Sequence, residues 1–433
     1  LFQRVGVIIV TNPSQLLETL KLLCIVGAPK GKSVAGFTCS GGGATMLADH
    51  AEKIDLVFPL VDPKHENELS ALLPDIATVS NPLDYTTPIW GQAEMTYPVF
   101  AKAILAIDAD TAVLVQDYPA VGIDSSKGFY RADAIAFAKA TTEKGLPAII
   151  CATLPENLDL ETRQLFITKG VAPMQGIHET LNAIADAAEW SEARSHILSE
   201  KPEYLLPAIP SSERRVLSES DSKRWLKRNN IKVPEGRSVS SQKLGEAALE
   251  VGYPVALKMI SSRLAHKTEA GAVALNLKDK DSLNRAAEKM KIDVAAYDAK
   301  ASSELFLVES MSATPLAELI INMRQDPQFG AALVLGSGGV LVELLADSVT
   351  LLLPTRPVEI IRAIKSLQVG RLLEGFRGRP AADIPKLAEE IYKLSIAFQE
   401  DIKSIAEIEI NPLFVYQTEV TAIDALIQVS NNE

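Results

Sequence analysis

The sequence predicts an α/β protein of two domains, and three observations carry this prediction. A chain of 433 residues with 47% hydrophobic and 23% charged residues is long enough for two or three domains with large cores. Over the first ~190 residues, short apolar β-rich segments alternate with helical stretches, which is typical of a doubly wound parallel sheet. Residues 200–212 then hold three prolines and two serines, which indicates a domain boundary.

The elements of the first half follow from local composition. Strands are predicted at VAGFT (34–38), TAVLVQ (111–116) and AIICA (148–152), because short apolar runs suit strands that are buried on both faces. A helix is predicted over FYRADAIAFAKATTEKG, with Gly145 as its stop and Pro147 just beyond.

The second half mixes strands and helices less regularly. Ser218 precedes Asp221 by three positions, which predicts the start of a helix. Strands are predicted at PVALKM (254–259), LFLVE (305–309), AALVL (331–335), IAEIEI (405–410) and VTAIDAL (420–426). The apolar spacing that predicts an amphipathic helix packed on this sheet is that of Leu387, Ile391, Leu394 and Phe398.

Composition argues against several classes of protein. The net charge of −12 disfavours a nucleic-acid partner. No apolar run approaches the ~18 residues that span a bilayer, so we expect no membrane partner. Cys24, Cys39 and Cys151 form no Cys-x-x-Cys pair and lie near no histidine at ligand spacing. This pattern predicts free thiols, no zinc site and a cytoplasmic location.

The second half also contains residues suited to phosphate chemistry. Lys258 ends a predicted strand, and the small-residue loop after it carries His266 and Lys267. Asn411 ends another strand and Asp424 lies on the next one, so a turn between them would bring the two side chains together. Such oxygen ligands suit Mg²⁺ shared with phosphates, and lysine suits phosphate charge. Taken singly, each residue is more simply an ordinary cap or surface charge, but the set favours a nucleotide site.

Several motifs resemble one known family. LKMISSRLAHKTEAGAV, LVESM, AELIINMRQDPQFGAALVLGSGGVLVELLAD, LLEGFRGRP and EIEINPL are similar to the ATP-grasp domain of NDP-forming acyl-CoA synthetases, relatives of succinyl-CoA synthetase. Upstream, SGGGATMLADHAE, LLPDIATVSNPLDYTTP and GVAPMQGIHETLNAIADAAEW resemble the flavodoxin-like CoA-ligase domain of the same family. The implied segments are 1–32 (remnant of a preceding region), 33–199 (CoA-ligase domain), 200–212 (linker) and 213–433 (ATP-grasp domain).

The resemblance implies an activity and its site residues. The family joins a carboxylic acid to coenzyme A while ATP goes to ADP and phosphate, through an acyl phosphate and a phosphohistidine. The residues implied to bind the nucleotide are Lys258, Lys267, Gly271, Glu309 and Glu318, the last two at its base and ribose. Asn411 and Asp424 would hold Mg²⁺. His266 would be phosphorylated within the ATP-grasp domain, which agrees with neutral imidazole being a nucleophile at pH 7; alternatively it caps a turn.

The chain departs from the family pattern in two places. Ala272 stands where the family usually has a second glycine of the loop, which bears on the loop's backbone geometry. The family's main phosphohistidine lies in a Ser-His-Thr-Gly loop before the stretch that matches residues 1–10, and its CoA-binding domain lies further upstream. We therefore expect a missing N-terminal segment or a partner subunit to carry that loop, and we expect a homo-oligomer.

Two loops of the first half are further candidates. Gly41, Gly42 and Gly43 follow a strand and open a helix, where N–H groups and the helix dipole favour a phosphate of phosphohistidine or coenzyme A. A tight strand-to-helix turn explains these glycines equally well. The stretch NPLDYTTPIW resembles the family's acyl-site loop, and its candidate pocket residues are Asn81, Asp84, Tyr85 and Trp90. The two aromatic residues are alternatively core.

Alternative functions stay open. A ring face of Trp90 would suit a cationic acyl group, so one alternative is an ATP-dependent dimethylsulfoniopropionate lyase of the same superfamily. Another is a non-catalytic nucleotide-sensing module of a protein acetyltransferase, although the presence of Lys258, His266, Asn411 and Asp424 favours an enzyme. A carboxylate–amine ligase would share the nucleotide chemistry but does not account for the first half.

Overall fold

The computed structural model describes residues 1–119, 122, 125–199, 203–209, 214–261, 263–264, 267–339 and 347–430. The chain divides into two compact units, Leu1–Pro202 and Glu203–Glu433, and each is considered by itself. Among the described helices, none combines the length and apolar character needed to cross a bilayer.

The first unit alternates helices and strands. Its strands are β1 (Val34–Thr38), β2 (Leu83–Asp84), β3 (Thr111–Val115), β4 (Ala148–Ala152) and β5 (Ala172–Gln175). Its helices are α1 (Pro13–Ile25), α2 (Gly41–Glu52), α3 (Pro63–Ser70), α4 (Ala93–Ala106), α5 (Lys127–Lys144), α6 (Leu160–Thr168) and α7 (Ile177–Ser199). Short 3-10 turns lie at Gln3–Val5, Thr87–Ile89 and Pro155–Asn157.

The sheet of the first unit is parallel throughout its described strands. Its order is β2-β1-β3-β4-β5, the order of flavodoxin-like folds, which confirms the predicted fold class of this half. Every residue of β1, β3 and β4 is buried, as expected of strands covered by helices on both faces. Gly145 ends α5 with a φ of +68°, as the sequence predicts.

Helix α1 packs onto this sheet. Its start is capped by Asn12, whose side chain accepts the N–H of Gln15 at 2.8 Å. Leu22 is fully buried in a core that includes residues of β1, β3 and α7, whereas Leu17 on the outer face is 60% exposed. The separation of residues 1–32 from 33–199 stays a prediction.

The second unit is built from antiparallel sheets and helices. Its strands are β6 (Arg214–Val216), β7 (Gly236–Ser240), β8 (Val255–Met259), β9 (Val273–Leu277), β10 (Leu305–Ser310), β11 (Ala317–Asp326), β12 (Gly330–Ser337), β13 (Ser348–Leu352), β14 (Ile405–Val415), β15 (Val420–Ala422) and β16 (Ala425–Ser430). Its helices are α8 (Glu219–Arg228), α9 (Leu244–Val251), α10 (Lys280–Tyr297), α11 (Pro357–Ser366), α12 (Gly370–Leu373) and α13 (Ile384–Glu400), with a 3-10 turn at Ser241–Lys243.

The described strands of this unit form two sheets. One has the order β7-β10-β8-β9; the other has β13-β12-β11-β14-β16-β6, with β15 paired to β14. Helix α13 covers the larger sheet, and the four apolar residues predicted to face the sheet are all buried in its core. Of the predicted linker, Leu206 hydrogen-bonds through its backbone to Leu353 and Ala331; its role as a linker stays a prediction.

The predicted strand over 420–426 is wrong in one respect, because it is broken at Ile423 and Asp424. The break lies opposite Asn411 and Pro412 of β14. Proline has no N–H to donate, so the regular ladder cannot continue there. Instead, the N–H of Asn411 donates to the carbonyl of Asp424 at 3.3 Å and the N–H of Ile423 donates to that of Pro412 at 3.0 Å. Asp424 therefore lies between β15 and β16.

We predict that Leu22→Ala lowers the free energy of unfolding of the first unit by about 2–5 kcal/mol, because it leaves a cavity in the core. Leu17→Ala is the matched control on the same helix and should change it by about 0.5 kcal/mol or less. Hydrogen exchange of β1 and β3 peptides in increasing urea measures both effects. Equal protection in the two variants would contradict the packing of α1 described above.

Candidate functional site

A buried carboxylate surrounded by lysines lies in the second unit. Glu219 opens α8 and is only 7% exposed. Its carboxylate oxygens lie 2.6 Å from Nζ of Lys258 and 2.7 Å from Nζ of Lys267. Nζ of Lys223, one turn further along α8, lies 2.9 Å away. Three ammonium groups therefore share one carboxylate.

Two further acids complete this group. Glu309, 2% exposed, lies 2.6 Å from Nζ of Lys223 and 3.1 Å from Nζ of Lys258. Asp424 lies 3.2 Å from Nζ of Lys267. We call the six side chains the lysine–carboxylate cluster: Glu219, Lys223, Lys258, Lys267, Glu309 and Asp424. Its three positive and three negative charges balance, which is the condition for burying ions at tolerable cost.

Local structure explains why these side chains meet. Glu219 and Lys223 are four residues apart on α8, so they share one helix face. Lys258 of β8 is paired with Leu307 of β10, and Glu309 is two residues further along β10. Because side chains alternate along a strand, Lys258 and Glu309 point to the same side of the smaller sheet. The start of α8 is fixed by Ser218, whose Oγ accepts the N–H of Asp221 at 3.1 Å, as predicted.

The charges and the burial of the cluster shift the pKa values of its side chains. Burial alone would raise the pKa of Glu219, but the charges of Lys258, Lys223 and Lys267 outweigh it and hold that pKa well below its usual range. Burial opposes the charged form of Lys258 too, yet Glu219 and Glu309 raise its pKa above the usual value. Burial, with the charge of Lys258, lowers the pKa of Lys223. Glu219 and Lys258 are thus a charged pair at neutral pH.

Asn411 and Asp424 come together at the break between β15 and β16. Their backbones are hydrogen-bonded, the Oδ1 of Asn411 accepts the N–H of Gly339 at 3.2 Å, and Lys258 donates to the adjacent carbonyl of Ile423 at 3.0 Å. Within the described ranges, no group of three or more His, Cys, Asp or Glu is arranged to hold a metal. One amide and one carboxylate oxygen beside lysines fit Mg²⁺ that takes its other ligands from phosphates and water.

A cavity of about 440 Å³ lies beside Glu318. Its walls include Leu316, Ser337, Val369 and Leu372, so it is largely apolar with one carboxylate. Gly339 lies between Glu318 and Asn411 and contacts both residues. Its N–H donates to Asn411, and a Cβ added to it would overlap the carboxylate of Glu318. The size and lining suit an organic ligand with polar groups at one end.

Two residues of the loop after β8 that the sequence predicts to belong to the site, His266 and Gly271, are not part of the cluster of described side chains. His266 lies outside the described residues, although Lys267, the next residue, belongs to the cluster. Gly271 has a φ of +67°, its N–H donates to the carbonyl of Thr268 at 3.1 Å, and its α-carbon faces Asp293 of α10. The described contacts of Gly271 are those of a turn residue.

Sequence reasoning missed Glu219, Lys223 and Gly339. A signal existed for the first two, because the buried stripe of α8 consists of Glu219, Ser222, Lys223, Trp225 and Leu226. Charged residues at core-facing helix positions indicate a buried ion pair. Gly339 lies in a glycine-containing stretch that the resemblance covered, but its contacts with two site residues come only from the fold.

In the first unit, the glycine loop follows β1, and the candidate acyl stretch contains β2 and continues beyond it to the carboxyl edge of the sheet, where open α/β sheets bind ligands. Helix α2 begins at Gly41. A Cβ on Gly43 would lie 2.6 Å from Oγ1 of Thr38, so Gly43 is required for the close approach of strand and helix. A Cβ on Gly41 would lie 3.6 Å from a carboxylate oxygen of Asp84, which places this acid beside the helix start.

Three of the four acyl-loop candidates make structural hydrogen bonds. A carboxylate oxygen of Asp84 accepts the N–H of Thr86 at 2.9 Å. Asn81 accepts the N–H of Gly36 at 2.9 Å and donates to the carbonyls of Val34 and Pro59, so it ties its loop to β1. Tyr85 is fully buried, and its hydroxyl donates to Asp133 at 3.0 Å. These contacts favour the core alternative for Tyr85 and give Asn81 and Asp84 structural contacts.

Trp90 is the most open of the aromatic candidates. It is half-buried, with its ring 4.7 Å from that of Tyr130 and 5.6 Å from that of Phe129 between centroids. Its indole N–H has no hydrogen-bond partner in the described part of the chain, and the same holds for the side-chain amide N–H of Gln116 at the end of β3. Buried donors without partners are sites where a ligand oxygen can bind.

Comparison with known proteins follows the division into two units. The family model described as an ATP-grasp domain matches residues 208–429, just over half of the chain. The chain is 33% identical over 216 residues to the beta subunit of acetate–CoA ligase (ADP-forming) I of Pyrococcus furiosus, and the match covers 49% of this chain and 92% of that subunit. The chain belongs to the ADP-forming acyl-CoA ligase family.

Another relative matches a larger part of the chain, and a solved structure matches about half of it. A trans-feruloyl-CoA synthase from an unknown prokaryotic organism is 29% identical over 437 aligned positions, which cover 98% of this chain. The chain spans 60% of the length of that relative. A solved acetyl-coenzyme A synthetase 1 of Ca. Korarchaeum cryptofilum, in complex with coenzyme A and Ca-AMPCP, is 30% identical and covers 50% of this chain and 93% of its own, with a TM-score of 0.47.

We predict that only Cys24 reacts quickly with Ellman's reagent at pH 8. All three cysteines are free, and Cys24 alone among them is exposed. Burial, aided by the charge of Asp133, raises the pKa of Cys39 to about 11, and burial raises that of Cys151 to about 12. At pH 8 a thiol of pKa about 11 is ionised to ~0.1%.

The reagent should therefore detect one thiol in the native protein and the other two after unfolding in guanidinium. Cys24→Ser is the control and should abolish the fast phase. A fast phase that persists in this variant would show that Cys39 or Cys151 is accessible and ionised.

Proposed function

We propose that the chain supplies the nucleotide-binding and CoA-ligase parts of an ADP-forming acyl-CoA synthetase. The observation that carries the proposal is that Lys258 and Lys267 converge on the buried carboxylate of Glu219, with Asp424 beside Lys267 and hydrogen-bonded through its backbone to Asn411. The names of the relatives support it, because they are CoA ligases or synthases acting on different acids. The reaction would join a carboxylic acid to coenzyme A while ATP goes to ADP and phosphate.

The nucleotide would bind across the lysine–carboxylate cluster and the cavity beside Glu318. Lys258 and Lys267 would contact its phosphates, since ammonium groups are strong phosphate partners. The cavity would accept the nucleoside, with the carboxylate of Glu318 available to its hydroxyl groups. Asn411 and Asp424 would hold Mg²⁺, which when bound supplies positive charge to the phosphate oxygens.

His266 would take the phosphoryl group, because it directly precedes Lys267 on the loop after β8. An imidazole nitrogen would form a bond to the γ-phosphorus as the bond from that phosphorus to the β–γ bridging oxygen breaks, so that ADP leaves. The phosphoryl group would then pass to a carboxylate oxygen of the acid as the N–P bond breaks, which gives an acyl phosphate. The thiol of coenzyme A would attack the acyl carbon of this intermediate, and phosphate would leave. A covalent step of this kind divides one long transfer into two short ones.

The acyl group and coenzyme A would meet at the carboxyl edge of the first unit. Gly41 and Gly42 offer N–H groups at the start of α2, and Trp90 and Gln116 offer unpaired donors. One relative is a beta subunit by its printed name, which supports a partner subunit or a preceding segment that completes the site.

We predict that γ-³²P-ATP with Mg²⁺ labels the chain on His266. The label should be acid-labile and alkali-stable, as expected of a phosphorylated imidazole, and His266→Asn should abolish it. His65→Asn, on α3 of the first unit, is the matched control and should keep full labelling. Phosphopeptide mapping after proteolysis identifies the site.

The result separates the proposal from the sensor function. Tight ATP binding without label would overturn the relay and support a nucleotide-sensing module. Absence of both binding and label would overturn the nucleotide site itself.

A further inference from the structure

We infer that Glu219 is the positioning residue of the nucleotide site: its single carboxylate holds Lys258 and Lys267 in place for the phosphates. The inference rests on the proposed function and deepens it, because it explains how two lysines from separate segments are arranged before the ligand arrives.

The contacts are divided between the two oxygens of Glu219. Oε1 lies 2.6 Å from Nζ of Lys258 and 2.9 Å from that of Lys223. Oε2 lies 2.7 Å from Nζ of Lys267, an ion-pair contact without hydrogen-bond geometry. Lys258 stands on a rigid strand, but Lys267 stands on the loop after it. Glu219 therefore gives the loop lysine a fixed position relative to the strand lysine.

A lysine needs such a partner because its side chain is long and flexible. An ammonium group that is already held in place loses less conformational freedom when a phosphate binds, so affinity for phosphate rises without any new contact. Glu219 is 7% exposed and belongs to α8, which is anchored by the buried Trp225 and Leu226. The position of the carboxylate is therefore fixed by the packing of α8 within the described part of the unit.

Lys267 has a second partner whose role would change on binding. Its Nζ lies 3.2 Å from Asp424, a proposed ligand of Mg²⁺. When Mg²⁺ and phosphates enter, the carboxylate of Asp424 would turn to the cation and Lys267 would turn to the phosphates. Glu219 would keep its contact with Lys267 during this exchange, because Glu219, unlike Asp424, is not a proposed ligand of Mg²⁺.

The test compares the binding of Mg·ADP and of adenosine to the full chain, by calorimetry and by ligand-observed NMR. In Glu219→Gln we expect the Kd of Mg·ADP to rise about tenfold or more, because the phosphate-binding lysines lose their shared charged partner. The Kd of adenosine should stay within about twofold, because adenosine has no phosphate. Glu235→Gln is the matched control. It neutralises the exposed ion-pair partner of Lys227, a lysine of α8, and should leave the Kd values of Mg·ADP and adenosine unchanged.

A second variant separates positioning from simple charge balance. Glu219→Gln alone leaves three ammonium groups facing two carboxylates, whereas Glu219→Gln with Lys223→Met leaves two facing two. The double variant should unfold at a temperature near that of the wild type and still bind Mg·ADP about tenfold or more weakly.

Each outcome decides the matter. Recovery of Mg·ADP affinity in the double variant, or equal weakening of adenosine and Mg·ADP, would overturn the positioning role. Unchanged Mg·ADP affinity in Glu219→Gln would overturn it as well. Failure of the wild type to bind any nucleotide would instead overturn the proposed function.

Discussion

Ions that leave water must find opposite charges inside the protein, and this requirement shapes the second unit around Glu219. The cost of burying an unpaired ion is several kcal/mol, so each member of the lysine–carboxylate cluster depends on the others. The helix α8, the strands β8 and β10 and the break between β15 and β16 must all keep their mutual positions for the charges to cancel. The cluster therefore ties the smaller sheet to the larger one at the place where a phosphate would enter.

The first unit meets a different constraint. Its parallel strands are buried on both faces, so polar side chains collect in the loops at the carboxyl edge of the sheet. There Tyr85 holds its loop in place, while Gln116 and Trp90 keep donors without partners in the described residues. A rigid support beside unsatisfied donors is what a binding edge requires.

The sequence predicted the elements better than it predicted the site. Short buried strands and the apolar spacing of α13 are local patterns, and the structure confirms them. The buried ion pairs are not local, because Glu219 lies 39 residues from Lys258 and Lys223 lies 86 residues from Glu309. The break at Asp424 escaped prediction for a similar reason, since its cause, Pro412, acts from the neighbouring strand. The roles of the site residues stay predictions, and His266 lies outside the described residues.

Gly339 has a consequence for how this site can change over time. Its backbone touches Asn411, and its α-carbon faces Glu318 so closely that any side chain would displace that acid. It also adopts a φ of +66°, which disfavours other residues. A mutation there would disturb both neighbours in one step, so Glu318 and the amide of Asn411 cannot be altered separately through this position. The two must be inherited together, and an engineer who wishes to broaden the pocket should begin at Val369 or Leu372 instead.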